Sequence, residues 1–305
     1  MEVEMMLNPS RFIYNSYRKQ KAYFLKRPSG LLTNIVGKTY FRWVNFFAQL
    51  ISERKTLLNQ EYVDLWRQLY FLRFGAKPLF KLEAAVPIAL DSDDHKWPRG
   101  TMTDNSVNLR FNTKLYQFFQ NESELKVLDL GCSGGGFVRS VLADGHTAIG
   151  IEGSDYSQYY RSGEWGNIPH HLFTGDITAE FQLYELPNTI SVKFDCITLW
   201  EVLEHIPEAK IHVLIQNIKN HLAPNGICVA SVDVVPDGDL LTGAVYHQTL
   251  RPKSWWLAQF YDHALVEVSN HNFCTQDYVR GHGQGWKDWS PDEPEGGFHL
   301  VLKRA

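Results

Sequence analysis

The sequence predicts an α/β fold: a mostly parallel sheet with helices on both faces. Three observations carry this. From Lys126 onward, short apolar runs alternate with amphipathic stretches, and strands separated by helices imply parallel crossovers covered on both sides. Seven runs read as strands: KVLDL, AIGIE, HLFTGD, FDCITLW, ICVASV, LVEVS and FHLVLKRA. The first breaks into Gly, Cys, Ser and three more glycines before a helical pattern begins. Such a turn lets a ligand lie against backbone.

The chain has 305 residues, 44% hydrophobic and 21% charged, with a net charge of −4. That is ordinary for a globular protein with a large core. The charge is uneven. Residues 1–82 hold 14 Lys and Arg against 5 Asp and Glu, and the remainder holds 16 against 29. Such asymmetry suggests two modules with different neighbours. Cys132, Cys196, Cys228 and Cys274 are scattered without CxxC spacing, which argues against a disulfide framework or structural zinc. With no apolar leader pattern at the start, a cytoplasmic location is expected.

In chain order, residues 1–82 form a basic helical extension. Stretches 11–25, 40–58 and 61–74 repeat apolar residues at roughly three and four. Lys38 and Arg42 interrupt the richest part, which makes it a poor membrane span. Two readings stay open: a basic, aromatic surface for peripheral membrane contact or nucleic acid, or a cap packed on the second domain. Residues 83–305 form that second domain, with a ligand-binding core at about 111–235. It opens with a Pro-containing connector and the helical NLRFNTKLYQFFQNE. KVLDL then feeds GGFVRSVLADG. AIGIE precedes a Tyr-rich stretch, and FDCITLW precedes PEAKIHVLIQNIKNHL. ICVASV leads through RPKSWWLAQFYD to LVEVS. A long Gly/His/Trp loop over residues 270–297 precedes the last strand.

A dinucleotide GxGxxG does not fit the turn. From Gly131 it would need glycine at Ser133, and from Gly134 it would need glycine at Arg139. Asp129-Leu-Gly131-Cys132-Ser133-Gly134-Gly-Gly136 instead resembles motif I of the class I S-adenosylmethionine-dependent methyltransferases, with Ser133 where that family commonly has glycine. Glu152 lies at the end of the second strand, 21 residues after Gly131. A carboxylate there can accept both ribose hydroxyls. The resemblance extends over LFTGDIT, FDCITLWEVLEHIP and LAPNGICVASV, roughly residues 111–305. It implies a Rossmann-like seven-stranded fold and S-adenosylmethionine as cofactor. It implies cofactor contacts from Asp129, Gly131, Cys132, Ser133, Gly134, Glu152, Gly153, Asp176, Ile177 and Trp200. Among these, Asp176 would accept from the adenine amino group, Ile177 would pack on the ring, and Trp200 would lie under the methionine part.

Methyl transfer is an in-line displacement, and a hydroxyl acceptor gains from a base. Glu201, His205 and His247 fall at the strand-four and strand-five ends and are the catalytic candidates. His205 has the pKa range a base needs. An ordinary packing or capping role is its alternative. Convergent carboxylate and imidazole also suit a divalent metal, as in the ExxEH cluster of a group of RNA 3′-end methyltransferases; no metal is assigned. The 270–297 loop is expected to be lid-like, with His271, His282, Trp286 and Trp289 able to stack on a flat polar acceptor, or to be a plain surface excursion. The expected activity is methyl transfer to a small polar acceptor, a saccharide or metabolite hydroxyl. The competing readings are a metal-assisted RNA or nucleotide methyltransferase, which the acidic half disfavours, and a non-catalytic cofactor-binding scaffold.

Overall fold

The computed structural model describes residues 60–61, 63–120, 124–287 and 294–305. The helices expected over 11–25 and 40–58 lie outside the described residues; residues 63–74 are helical. The chain divides into two compact units after Arg73. Among the described residues no helix is long and apolar enough to cross a membrane.

The second unit begins with β1 (Phe80–Ala84), followed by a connector with two short helices, α1 (Asp93–Lys96) and α2 (Arg99–Thr103), and then α3 (Leu109–Phe118). The alternating part runs β2 (Lys126–Leu130), α4 (Gly136–Ala143), β3 (Thr147–Glu152), α5 (Tyr156–Tyr160) and β4 (Leu172–Thr174). After β5 (Phe181–Glu185) and β6 (Ile190–Ser191) come β7 (Phe194–Trp200), α6 (Glu208–His221) and β8 (Leu222–Asp233). The chain closes through β9 (Gly238–Asp239), β10 (Ala244–Val245), α7 (Lys253–Asp262), β11 (Leu265–Glu267), β12 (Trp286–Lys287) and β13 (Gly297–Arg304).

The main sheet has the path β11-β13-β8-β7-β2-β3-β4, with β12 paired to β13. Strands β8, β7, β2, β3 and β4 are parallel, and β13 runs antiparallel between β8 and β11. This is the Rossmann-like seven-stranded sheet, with one extra two-residue strand. Its inner strands are apolar on both faces because both are covered: every residue of β7 except Asp195 is buried. Helix α6 shows how a covering helix is specified. Ile211, Leu214, Ile215 and Ile218 are buried at spacings of three and four, the apolar stripe of a half-buried helix. Glu208 in its first turn and Lys219 and His221 in its last complement the helix dipole.

One element is new relative to the sequence reading. β1, β5 and β6 form a separate antiparallel sheet, with Leu82 opposite Leu183. FKLEA and FQLYE alternate apolar and polar residues, the pattern of strands covered on one face. β1 also places Phe80–Leu82 in a strand of this unit, inside the stretch assigned to the extension.

Strand order reverses between β2 and β7. In open parallel sheets the crevice outside the carboxyl ends at that point is where ligands bind. The glycine turn, Glu152, Trp200 and the segment after β7 all emerge there.

Candidate active site

A cleft of about 980 Å³ opens at this point, at the upper end of the range for small-molecule sites. Its floor is the turn after β2. Gly131 has φ +76°, and a Cβ there would stand 2.5 Å from Val202 Cγ2; glycine adopts this conformation without strain. Ser133 also has positive φ, 48°. A Cβ on Gly134 would stand 2.6 Å from the Asp104 carbonyl oxygen. The space that Gly134 leaves therefore admits the connector of the same chain.

The connector is fastened to that turn. Ser133 Oγ donates to the Asp104 carbonyl at 3.0 Å, and Gly134 N–H donates to the same carbonyl at 3.1 Å. Ala89 N–H donates to the Gly153 carbonyl at 2.9 Å. On the far side, Val245 N–H donates to Asp93 Oδ2 at 2.9 Å, and Arg99 pairs with Asp237. Residues 86–105 thus form a cap spanning the cleft.

Glu152 is buried at the end of β3. One carboxylate oxygen accepts from Ser133 N–H at 2.8 Å and the other from Ser154 N–H at 3.2 Å. Burial pushes its pKa up and these amides pull it back. Each oxygen keeps a free lone pair, which suits a vicinal diol. Asp176 Oδ1 accepts from Thr178 N–H and Oγ1, while Lys210 Nζ stands 3.7 Å from Oδ2. Trp200 packs edge-on against Phe111 and Phe137. Trp200 lines the cleft, and its indole N–H is buried with no partner. The buried diol acceptor and the orphan donor both fit S-adenosylmethionine: its ribose for the first, its methionyl carboxylate for the second.

The other end of the cleft is built from side chains. His205 closes a 3-10 turn, Leu203–His205, and its Nδ1 lies 2.9 Å from Asp94 Oδ2. His247 Nδ1 lies 2.5 Å from the Val235 carbonyl. A carbonyl can only accept, so His247 carries its proton on Nδ1. The two rings meet edge to face, with centroids 4.9 Å apart. Beside them Glu204 is fully buried. Its Oε1 accepts from Asp233 N–H at 2.8 Å, and its Oε2 has no partner. Burial drives the Glu204 pKa up to about 8 against the opposing His205 charge. One donor atom each from Glu204, His205 and His247 lie within 4.8 Å of one another.

Most of the residues expected from sequence meet in this cleft. Gly131, Ser133, Glu152, Gly153, Asp176, Ile177, Trp200, Glu201, His205 and His247 line it. Asp129, Cys132 and Gly134 do not. Asp129 is enclosed between strands and accepts from Thr198 Oγ1 at 2.7 Å; burial pushes its pKa up to about 8. Cys132 is buried and fills the space over Gly150. Gly134 receives the cap. His205 and His247 come together, but Glu201 turns away from them. It has φ 53° and pairs with Arg280, whose guanidinium also reaches Asp104 at 3.2 Å.

Arg280, Asp94 and Asp104 do not stand out in the sequence. All three depend on segments remote in the chain meeting at one edge. For Asp94 and Asp104 the only signal is a density of charged residues in the connector; Arg280 has none. The described part of the 270–297 loop is anchored rather than free: Asn108 Nδ2 donates to the Tyr278 carbonyl at 2.8 Å, Arg110 pairs with Asp277 at 2.9 Å, and Arg280 ties the loop to the cleft wall. His271 and Trp286 are partly buried; Trp289 lies outside the described residues.

The profile of a family described as a methyltransferase domain matches residues 106–278. A ubiquinone biosynthesis O-methyltransferase of Glaesserella parasuis serovar 5 (strain SH0165) is 36% identical over 107 residues, 35% of this chain and 44% of that protein. A second, from Histophilus somni (strain 2336), is 29% identical over 126 residues, 39% of this chain and 50% of that protein. The chain thus spans about half the length of the curated relatives it matches. Among solved structures, an S-adenosylmethionine-dependent methyltransferase from Clostridium acetobutylicum ATCC 824 is 12% identical, covering 70% of this chain and 96% of that one at a TM-score of 0.46. An amino pentose methyltransferase from Micromonospora echinaspora is 15% identical, covering 69% and 95% at a TM-score of 0.43.

Proposed function

The chain belongs to the methyltransferase-domain family, and from that premise we propose that it is an S-adenosylmethionine-dependent methyltransferase acting on a hydroxyl of a small polar acceptor, a saccharide or small metabolite. The observation that carries this reading is the pair His205 and His247, side by side on the cleft wall. A hydroxyl is a poor nucleophile until a base takes its proton, and such a base contributes about 10²–10⁴-fold. The partial likeness to ubiquinone biosynthesis O-methyltransferases supports oxygen as the acceptor atom.

Held by Glu152, Asp176, Ile177 and Trp200, S-adenosylmethionine would supply the methyl group, with its sulfur keeping the S–CH₃ electron pair on transfer to the acceptor oxygen. The chain's own residues arrange this. Glu152 takes the ribose hydroxyls, Asp176 and Ile177 the adenine, and Trp200 Nε1 the methionyl carboxylate. The cap keeps water from the cofactor end. His205 Nε2 takes the proton that the acceptor oxygen loses, and the His247 ring packs edge to face against His205 beside it.

The competing metal-assisted RNA or nucleotide reading would use Glu204, His205 and His247 together. Charge opposes it. Nine carboxylates line the cleft, against two arginines and one lysine, and phosphate chains need the reverse. The test is release of S-adenosylhomocysteine over a panel of monosaccharides, polyhydroxybenzenes and short RNAs, with and without EDTA. The expected result is turnover with a hydroxyl compound, indifferent to EDTA. His205→Ala should then lower kcat at least 100-fold while cofactor affinity by calorimetry stays within about twofold. Turnover confined to RNA, or abolished by EDTA, would overturn this reading.

A further inference from the structure

We propose that Asp94 is the positioning residue for His205: it holds the ring as the Nδ1–H tautomer, leaves Nε2 as the base, and does so only while the cap is docked. The inference rests on the methyltransferase reading above and adds a residue from a different part of the chain.

The geometry is direct. Asp94 Oδ2 lies 2.9 Å from His205 Nδ1, inside hydrogen-bond range. An ionised carboxylate can only accept, so the shared proton sits on Nδ1. His247 reaches the same tautomer through a carbonyl. Both rings therefore keep Nε2 unprotonated when neutral.

Asp94 is itself held. It occupies the first turn of α1, where Ser92 Oγ accepts from its N–H at 3.1 Å, the usual N-cap arrangement. Its neighbour Asp93 accepts from Val245 N–H, and Lys96 Nζ donates to the Asp91 carbonyl at 2.9 Å. The same cap reaches the cofactor end through Ala89 on Gly153 and Asp104 on Ser133 and Gly134. One segment thus covers the cofactor end and delivers the carboxylate that orients the base.

Electrostatics agree. Burial alone would lower the His205 pKa. The Asp94 hydrogen bond and charge, with further contributions from Glu204 and Asp237, outweigh it and raise the pKa to about 8. His247 is the remaining titratable group against the ring. A base with this pKa is matched to neutral or mildly alkaline pH.

The test uses the full chain labelled with ¹⁵N-histidine. The His205 signals are assigned by comparison with His205→Gln. The wild type should show the Nδ1–H tautomer and a titration midpoint well above the ordinary imidazole value of ~6.5. In Asp94→Asn the midpoint should fall and the tautomer become mixed. Asp94→Glu should restore part of both. S-adenosylmethionine affinity by calorimetry should stay within about threefold in each variant, which separates positioning from loss of the cap.

With an acceptor from the panel, Asp94→Asn should lower kcat by about 10²-fold, leave the cofactor KM unchanged and move the limb on which rate rises with pH to lower pH. A wild-type His205 lacking the Nδ1–H tautomer, or an Asp94→Asn spectrum unchanged at His205, would overturn the proposal even if the enzyme methylates hydroxyls. If no hydroxyl acceptor emerges, the His205 spectra still decide the Asp94 assignment by themselves.

Discussion

The two ends of the cleft are made in different ways. The end that we assign to the cofactor is set by backbone: a turn with positive φ at Gly131, amides of Ser133 and Ser154 that hold the Glu152 carboxylate, and strand ends in fixed register. The acceptor end is built from side chains brought from four separate places: Asp94 on α1, His205 after β7, His247 after β10 and Arg280 in the late loop. Backbone geometry serves any member of a family that uses one cofactor. Side chains on loops can be exchanged without disturbing the sheet, so under the proposed function they are where acceptor choice would reside.

Substitutions that strike one end and spare the other test this division. The largest effect on binding is expected from Glu152→Ala. It removes a buried charged acceptor, and such hydrogen bonds contribute about 1.5–3 kcal/mol each. Affinity for S-adenosylmethionine should fall about 30–100-fold by calorimetry. In the wild type, affinity should also decline as pH falls through the raised Glu152 pKa, because only the ionised carboxylate accepts from both hydroxyls.

Arg280→Ala should act at the acceptor end. It leaves Glu201 and Asp104 without their cation on the cleft wall and removes one of the three ties that anchor the loop. The acceptor KM should rise about tenfold, with cofactor affinity unchanged. Equal losses at both ends would show that the loop belongs to the cofactor half as well.

Asp129 bears on the sheet beneath both ends. Its folded pKa, about 8, exceeds the unfolded value, ~3.9. The folded state therefore holds the extra proton between these values, and stability falls as pH rises across that window. Asp129→Asn keeps an acceptor for Thr198 Oγ1 and carries no titrating group. It should raise Tm at pH 8 by roughly 3 °C and flatten the decline in scans between pH 5 and pH 8.5.

The smallest effect is expected from Ser133→Gly. Glycine relieves the left-handed φ but removes the hydroxyl that holds Asp104, and the two changes nearly offset one another. Cofactor affinity should fall about threefold.

The same division explains what the sequence revealed. The glycine-turn end of the cleft is legible because its parts are contiguous and tied to strand periodicity: KVLDL and the glycines, Glu152 ending AIGIE, Trp200 ending FDCITLW. His205 and His247 could be placed at the correct edge because they come after strands. What they touch could not be read. Glu201, Glu204 and His205 sit within five residues, and only the backbone turn at Glu201, φ 53°, sends one carboxylate to Arg280 and buries the other beside the histidines. Asp94 and Asp104 are not legible as site residues, because nothing in a linear chain shows a connector folding back over a cleft. The small sheet of β1, β5 and β6 is hidden for a similar reason: its strands are short, and β1 pairs with β5 about a hundred residues further along the chain.

The Ser133 latch has a kinetic consequence. The cap that covers the cofactor end also carries Asp94, so a cap that opened to admit the cofactor would withdraw Asp94 from His205 until it closed again. Catalysis should then follow a compulsory order, with S-adenosylmethionine first on and S-adenosylhomocysteine last off. S-adenosylhomocysteine would compete with the first ligand and inhibit non-competitively against the second. Cap opening, rather than the displacement at carbon, would then limit turnover at saturation.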